Sequence, residues 1–320
     1  MLARLQRFVT FCLVAFAAAW ASLAMAFGHP IAAAGGVLLI VFGYLAFMGL
    51  EFVVVAWQHK DDPTPRATAG QLFRAWWGEV TTSPRVFCWS QPFRSNAWPD
   101  HLPQRVSCRG VVLVHGFVCN RGFWNAWLPR LKACGVPYVA VNLEPVFGGI
   151  RDYALAVGAA VSRIQAATGQ APVVVAHSMG GLAVRAWLAM EGGDVHRVIT
   201  IGSPHHGTWA ARFSLSPNAR DMRRQSELLA FLESREAPET RARFTCFYSH
   251  CDNIVFPPST ATLEGADNRH VEGVAHVQLV DQPVVFDEVL RWVTPSSGPE
   301  QGAGFTSSSV GEPSAARQSH

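Results

Sequence analysis

Val173-Val174-Val175-Ala176-His177-Ser178-Met179-Gly180-Gly181 is the stretch that decides the fold. Its run of β-branched valines reads as the end of a buried parallel strand. Ser178 follows between small residues, and Leu182 to Met190 continues as a helix. A strand, a sharp turn with serine at its tip and a helix make a nucleophile elbow. The turn holds the serine in an unfavourable backbone conformation, so its neighbours must be small, which Ala176 and Gly180 satisfy. An ordinary Ser-Gly turn is the bland alternative, and the surrounding alternation of strands and helices argues against it.

That alternation extends on both sides of the elbow. Gly110 to Val114 reads as a buried strand, Phe123 to Ala133 as a helix closed by Gly135, and Tyr138 to Leu143 as a strand. Ile150 to Thr168 reads as a helix closed by Gly169, Val195 to Ile201 and Phe244 to Ser249 as strands, and Gln282 to Thr294 as a last helix. Uninterrupted apolar strands taking turns with helices predict an α/β fold, a mostly parallel sheet with helices on both faces. This unit is expected over 110–295, followed by a disordered, Ser/Gly/Pro-rich tail over 296–320. Residues 61–109 form a connector. Its Leu72, Phe73, Trp76, Trp77 and Val80 recur at helical spacing and predict an amphipathic helix lying on the domain or the membrane surface, with core packing the expected role of the tryptophans, and Val86 to Trp89 reads as an antiparallel edge strand.

Residues 1–60 have a different composition. Two charge-free runs, 8–27 and 31–50, are each long enough to cross a hydrocarbon core of roughly 30 Å. Gly28-His29-Pro30 between them permits only a tight hairpin. Arg4 and Arg7 precede the first run, Lys60, Arg66 and Arg74 follow the second, and the turn has neither lysine nor arginine. A two-helix transmembrane hairpin with both ends in the cytoplasm is the expectation, with Trp57 at the interface. Arg4, Arg7, the apolar run and Ala24-Met25-Ala26 also fit a cleavable secretory signal. In that case the second run becomes a stop-transfer helix, and the remaining chain still faces the cytoplasm.

The chain has 320 residues and a net charge of +3, without a basic cluster, so no nucleic-acid partner is expected. No CxxC and no zinc-type Cys/His spacing occurs, so neither metal nor cofactor is expected. A cytoplasmic setting keeps thiols reduced, and Cys246 and Cys251 are the first pair to examine for a disulfide.

A serine nucleophile needs a base, an orienter for that base and an oxyanion hole. Asp252 lies just past the strand at 244–249, at the carboxyl edge where α/β sites are built. Asp194 precedes a strand and so lies at the wrong end, whereas Asp221 and Glu227 fall in a charged insertion. Asp252 is therefore the acid of choice, with an Asx turn as its plain structural role. His276, in a small-residue loop before the last helix, is preferred over His270 as base. Backbone N–H groups of Phe117 and Met179 would form the oxyanion hole, and His115 would hold its loop by backbone hydrogen bonds.

His115-Gly116-Phe117, Ala176-His-Ser-Met-Gly-Gly181, Gly202-Ser-Pro-His-His-Gly207, Asp252 and His276 together resemble the bacterial triacylglycerol lipases of the α/β-hydrolase fold. Some of those lipases also carry alanine at the position of Ala176. The resemblance implies a serine hydrolase acting on carboxylic esters, with an ester or lipid as substrate. It also implies a lid over 208–243, for which a fixed cap is the alternative. The familiar lipases are secreted, whereas the hairpin implies an enzyme of the bacterial inner membrane. An acyltransferase, a thioesterase or a polyester depolymerase would use the same triad, and a non-catalytic membrane scaffold is a further alternative. No calcium site is carried over.

Overall fold

The computed structural model describes residues 1–59, 62–104 and 107–294. The expected tail over 296–320 lies outside them. Two long helices come first, α1 (Leu2–Ala26) and α2 (Pro30–Gln58), joined at Gly28, whose φ of 73° turns the chain. Both are long and apolar enough to cross a membrane. They pair as an antiparallel hairpin, with the Trp20 indole N–H donating to the Ala32 carbonyl. Helix α2 runs past the expected end at residue 50 and carries Glu51, Phe52 and Val55 onto the domain, where the latter two are buried.

Helix α3 (Ala69–Pro84) starts at a capping box, with Thr68 and Gln71 each accepting from the other's backbone N–H. It docks on α2 through Trp76 Nε1–H to the Leu45 carbonyl and the Tyr44 hydroxyl to the Val80 carbonyl, both 3.0 Å. Trp76, with Leu72, packs against a buried cluster of Phe52, Ala75, Cys251 and Ala275, as expected, whereas Trp77 and Phe73 are exposed. Arg85–Ser90 is a π-helical turn, not the expected edge strand. Pro84 cannot donate to the preceding turn, and the Gln91 N–H instead reaches the Val86 carbonyl with π spacing. Helix α4 (Gln91–Arg94) completes this region.

Six parallel strands form the sheet: β1 (Val111–Val114), β2 (Tyr138–Ala140), β3 (Val173–His177), β4 (Arg197–Ile201), β5 (Phe244–Tyr248) and β6 (Asp267–His270), in the order β2-β1-β3-β4-β5-β6. Side chains alternate across it and both faces are covered. Val112, Val114, Val174 and Ala176 pack with α6 (Ala154–Thr168) and α7 (Met179–Glu191). Val111, Leu113, Val173 and Val175 pack with Trp127, α5 (Leu128–Ala133) and α11 (Pro283–Val293). The helix expected over 123–133 is split into a 3-10 turn, Arg121–Ala126, and α5, because Pro129 cannot continue a helical ladder from within. Strand β6 was not anticipated, since Asp-Asn-Arg-His lacks apolar alternation and occupies an edge.

The segment 208–243 holds a 3-10 turn (Trp209–Phe213) and α8 (Pro217–Asp221), α9 (Glu227–Arg235) and α10 (Pro238–Arg241). Leu228 and Leu232 are buried in the core shared with α7. Arg185 of α7 grips Glu236 bidentately at 2.6 and 2.8 Å, and its third nitrogen donates to the His205 carbonyl. The two partners are 3% and 1% exposed. These contacts bury part of the segment against α7. Cys246 and Cys251 are free and sit in different packing clusters. Replacing Glu236 by Ala leaves a buried guanidinium unpaired, so denaturant unfolding should show a loss of about 3 kcal/mol. A loss below about 1 kcal/mol, the range of exposed pairs, would mean that other contacts hold the segment.

Candidate active site

Parallel strands deliver their carboxyl ends to one edge of the sheet, and the order β2-β1-β3 places a topological switch between β1 and β3. The loop after β1 carries Phe117, and the turn after β3 carries Ser178. Ser178 has φ 55° and ψ −129°, a strained backbone for a non-glycine residue. Its N–H donates to the Ile201 carbonyl at 2.9 Å. The crowding expected of the elbow is present: a Cβ on Gly180 would lie 2.6 Å from the His115 carbonyl oxygen, and one on Gly116 would lie 2.8 Å from the Ser178 Cβ.

Asp252 Oδ2 accepts from His276 Nδ1–H at 2.8 Å. Oδ1 of the same carboxylate accepts from the backbone N–H of Ile254 and Val255, so Asp252 forms the turn and orients the imidazole at once. With Nδ1 committed to Asp252, Nε2 is the nitrogen left for chemistry. Burial disfavours the His276 imidazolium, but Asp252, first by its charge and then by its hydrogen bond, and Glu79 and Glu51 by charge outweigh it, raising the pKa above the usual histidine value. His270, on β6, is engaged elsewhere, its Nε2 lying 2.7 Å from His250 Nδ1. Asp194 lies near Arg243 at the opposite edge, and Asp221 accepts from the Ile150 N–H.

Ser178 and His276 line one cavity of about 210 Å³. Phe117, Val118, Cys119, His177, Asn253, Ile254 and Val277 complete its domain side. Its other wall comes from the N-terminal helices: Met48 and Glu51 of α2, Glu79 and Ser83 of α3, and Phe87 of the π turn. None of 208–243 lines it. Met179 opens α7, where first-turn N–H groups lack helical partners, so its amide faces the elbow side of the helix end. His115 Nε2 accepts from the Leu143 N–H, which leaves Nδ1–H to donate to the Gly116 carbonyl at 2.9 Å. Burial lowers its pKa to about 4, so it is a neutral loop-holding residue. Burial likewise pushes the Cys119 thiol up to about 12, which keeps it protonated in the cavity wall.

Four residues of the site were not singled out from the sequence. His177 stacks on Phe123, and its Nε2 donates to the His276 carbonyl at 3.3 Å. Asn253 Oδ1 accepts from the His276 N–H at 3.3 Å, and its amide nitrogen donates to Glu51 at 2.7 Å. Glu79 accepts from the Val277 and Gln278 N–H groups. His177 and Asn253 sit beside predicted site residues and carried that signal; Glu51 and Glu79 carried none beyond a carboxylate in an apolar stretch.

Residues 111–299 match the alpha/beta hydrolase family. The chain belongs to that family. Among solved structures, it is similar to mature Bacillus licheniformis lipase BlEst2, with a TM-score of 0.51 and 17% identity over 59% of this chain and 93% of that one. It is also similar to the propeptide form, with a TM-score of 0.53 and 16% identity over 62% of this chain and 53% of that one. Aspergillus fumigatus lipase B gives a TM-score of 0.51 and 21% identity over 58% of this chain and 54% of that one. At such identities the likeness is one of fold. No curated protein matches the sequence.

Gly202 has φ 56°, and a Cβ there would lie 3.0 Å from Asp252 Oδ2 and 3.1 Å from His276 Nδ1. The hydrolase with Gly202→Ala should therefore fold but lose the Asp252–His276 alignment, slowing any chemistry at Ser178 by about 100-fold. Comparing its labelling rate by a fluorophosphonate with that of the parent checks this, and an unchanged rate would show that the pair tolerates the displacement.

Proposed function

We propose that this α/β hydrolase is a membrane-anchored serine hydrolase that cleaves carboxylic esters, with lipid esters as the substrate class. The observation that carries the reading is Ser178 on a strained elbow in one cavity with a His276 whose Nδ1 is held by Asp252. His276 Nε2 takes the Ser178 proton as the hydroxyl attacks the ester carbonyl. Asp252 fixes the tautomer and stabilises the imidazolium. The Phe117 and Met179 amides receive the oxyanion, the imidazolium protonates the leaving alcohol, and water then hydrolyses the acyl-enzyme by the reverse proton path. Met48, Phe87, Phe117, Val118 and Ile254 give the cavity an apolar wall suited to an acyl chain. The lipases that share the fold are consistent with this choice of substrate. Ser178→Ala should abolish both fluorophosphonate labelling and hydrolysis of nitrophenyl esters of graded chain length. Full labelling of that variant would refute the assignment.

The exposed apolar surface of α1 and α2 supports the anchor. Their most apolar 18-residue windows are 0% and 6% buried, while Leu2, Phe52 and Val55 at the domain end are covered. Water is a poor solvent for so much exposed hydrocarbon, and a bilayer is a good one. The Met1 amine lies 2.6 Å from Glu144, so the start of α1 and the end of α2 both adjoin the domain. Trp57, Phe73, Trp77 and Trp89 are exposed nearby and suit the headgroup region. With both hairpin ends inside, the domain faces the cytoplasm. Expressed in a bacterium, the chain should stay in the pellet after alkaline extraction, and a C-terminal reporter active only in the periplasm should stay silent; a soluble chain refutes the anchor and a strong signal refutes the orientation.

A further inference from the structure

The loop that carries His276 is held from outside the family region. Glu79 of α3, 2% exposed, accepts from the N–H groups of Val277 at 3.2 Å and Gln278 at 3.3 Å. Glu51 of α2 accepts from Asn253, whose own carbonyl oxygen accepts from the His276 N–H. Two carboxylates from the N-terminal helices thus flank a buried imidazole, and both line the cavity with Ser178. We propose that Glu79, with Glu51 acting through Asn253, is a positioning residue for His276, fixing its loop and stabilising the imidazolium that forms when Ser178 attacks. This rests on the serine-hydrolase reading and makes the hairpin region part of the catalytic apparatus as well as an anchor.

The energetics separate this role from a structural one. Burial is the largest influence on Glu79 and raises its pKa from 4.5 to about 7, against the lowering effects of His276 and the two N–H donors. A carboxyl whose folded pKa is raised contributes stability that is fully present below about pH 4.5 and is lost as the pH rises through about 7. Above neutrality the charge at Glu79 therefore costs stability. The charged and titratable groups facing His276 are Asp252, Glu79, Glu51 and His177, and burial keeps His177 neutral.

The test uses the full chain in detergent and measures the second-order rate of fluorophosphonate labelling of Ser178 against pH, which needs no known substrate. Glu79→Gln keeps the shape and removes the charge. It should slow labelling about tenfold and move the acidic limb down by about half a pH unit or more, since a weaker negative field lowers the His276 pKa. Its Tm at pH 8 should equal or exceed that of the parent. Glu51→Gln should shift the limb the same way, and it decides the matter should the Glu79 variant not accumulate. Variants that label within twofold of the parent with an unmoved limb overturn the proposal, as does slower labelling with an unmoved limb and a lower Tm at pH 8. A parent chain that does not label overturns the serine-hydrolase reading and this inference with it, whereas a labelling parent beside unshifted variants overturns the positioning role alone.

Discussion

The site depends on one backbone constraint, the conformation of Ser178 at φ 55° and ψ −129°. That geometry costs of order 1–3 kcal/mol and persists only where the surroundings over-determine it. Here they do so from three sides. The Ser178 N–H is tied to the Ile201 carbonyl on β4, α7 begins immediately afterwards, and the loop after β1 closes over the serine at Gly116. Each support comes from a neighbouring parallel strand or the helix behind it. The register of β1, β3 and β4 is therefore what stores the strain, and a slip of one residue would release it by turning every side chain to the other face.

The same edge explains how Asp252 and His276, distant in the chain from Ser178, converge on it. Asp252 follows β5 and His276 follows β6, so neither needs a long excursion to reach the end of β3. Gly202 at the end of β4 is the gap through which they meet, because any larger residue would stand against Oδ2 and Nδ1. Asp252 uses its two oxygens for two purposes, one closing the turn at Ile254 and Val255 and the other holding the imidazole. The turn that looks like the plain alternative to catalysis is thus what aims the carboxylate.

These features were legible in the sequence because each follows from local pattern. Valine runs mark buried strands, a serine flanked by small residues marks the elbow, and an aspartate just past a strand end is placed by topology alone. The failures are equally physical. The π turn at Arg85–Ser90 arises where Pro84 withholds a donor, and apolar residues at 86 and 87 gave a misleading period. Strand β6 is polar because an edge strand with exposed ends has little to bury. The segment 208–243, expected to cover the site, lines none of this cavity, and the wall opposite Ser178 and His276 is built by α2, α3 and the π turn. Nothing local could reveal that, since the bonds from Val277 to Glu79 join residues 198 positions apart.

A carboxylate buried beside an imidazole is a poor way to stabilise a fold, because desolvation opposes the charge and an apolar side chain of the same size would pack at less cost. Glu79 is buried nonetheless, and its oxygens meet the two amides that follow His276. The arrangement becomes intelligible if the charge is needed only when the imidazole is positive. Beside a neutral imidazole an ionised Glu79 has no opposite charge to offset its desolvation; in the proposed reaction, where His276 takes the Ser178 proton, the ionised fraction faces one in a low-dielectric setting. Desolvation opposes the Glu79 charge, and a positive imidazole beside it offsets part of that cost. Glu51 lies on α2, one arm of the exposed apolar hairpin, and Glu79 on α3, which docks against it, so the proposed anchor and the alignment of the base share one helix, and a domain cut at the family boundary near residue 111 would lack both carboxylates.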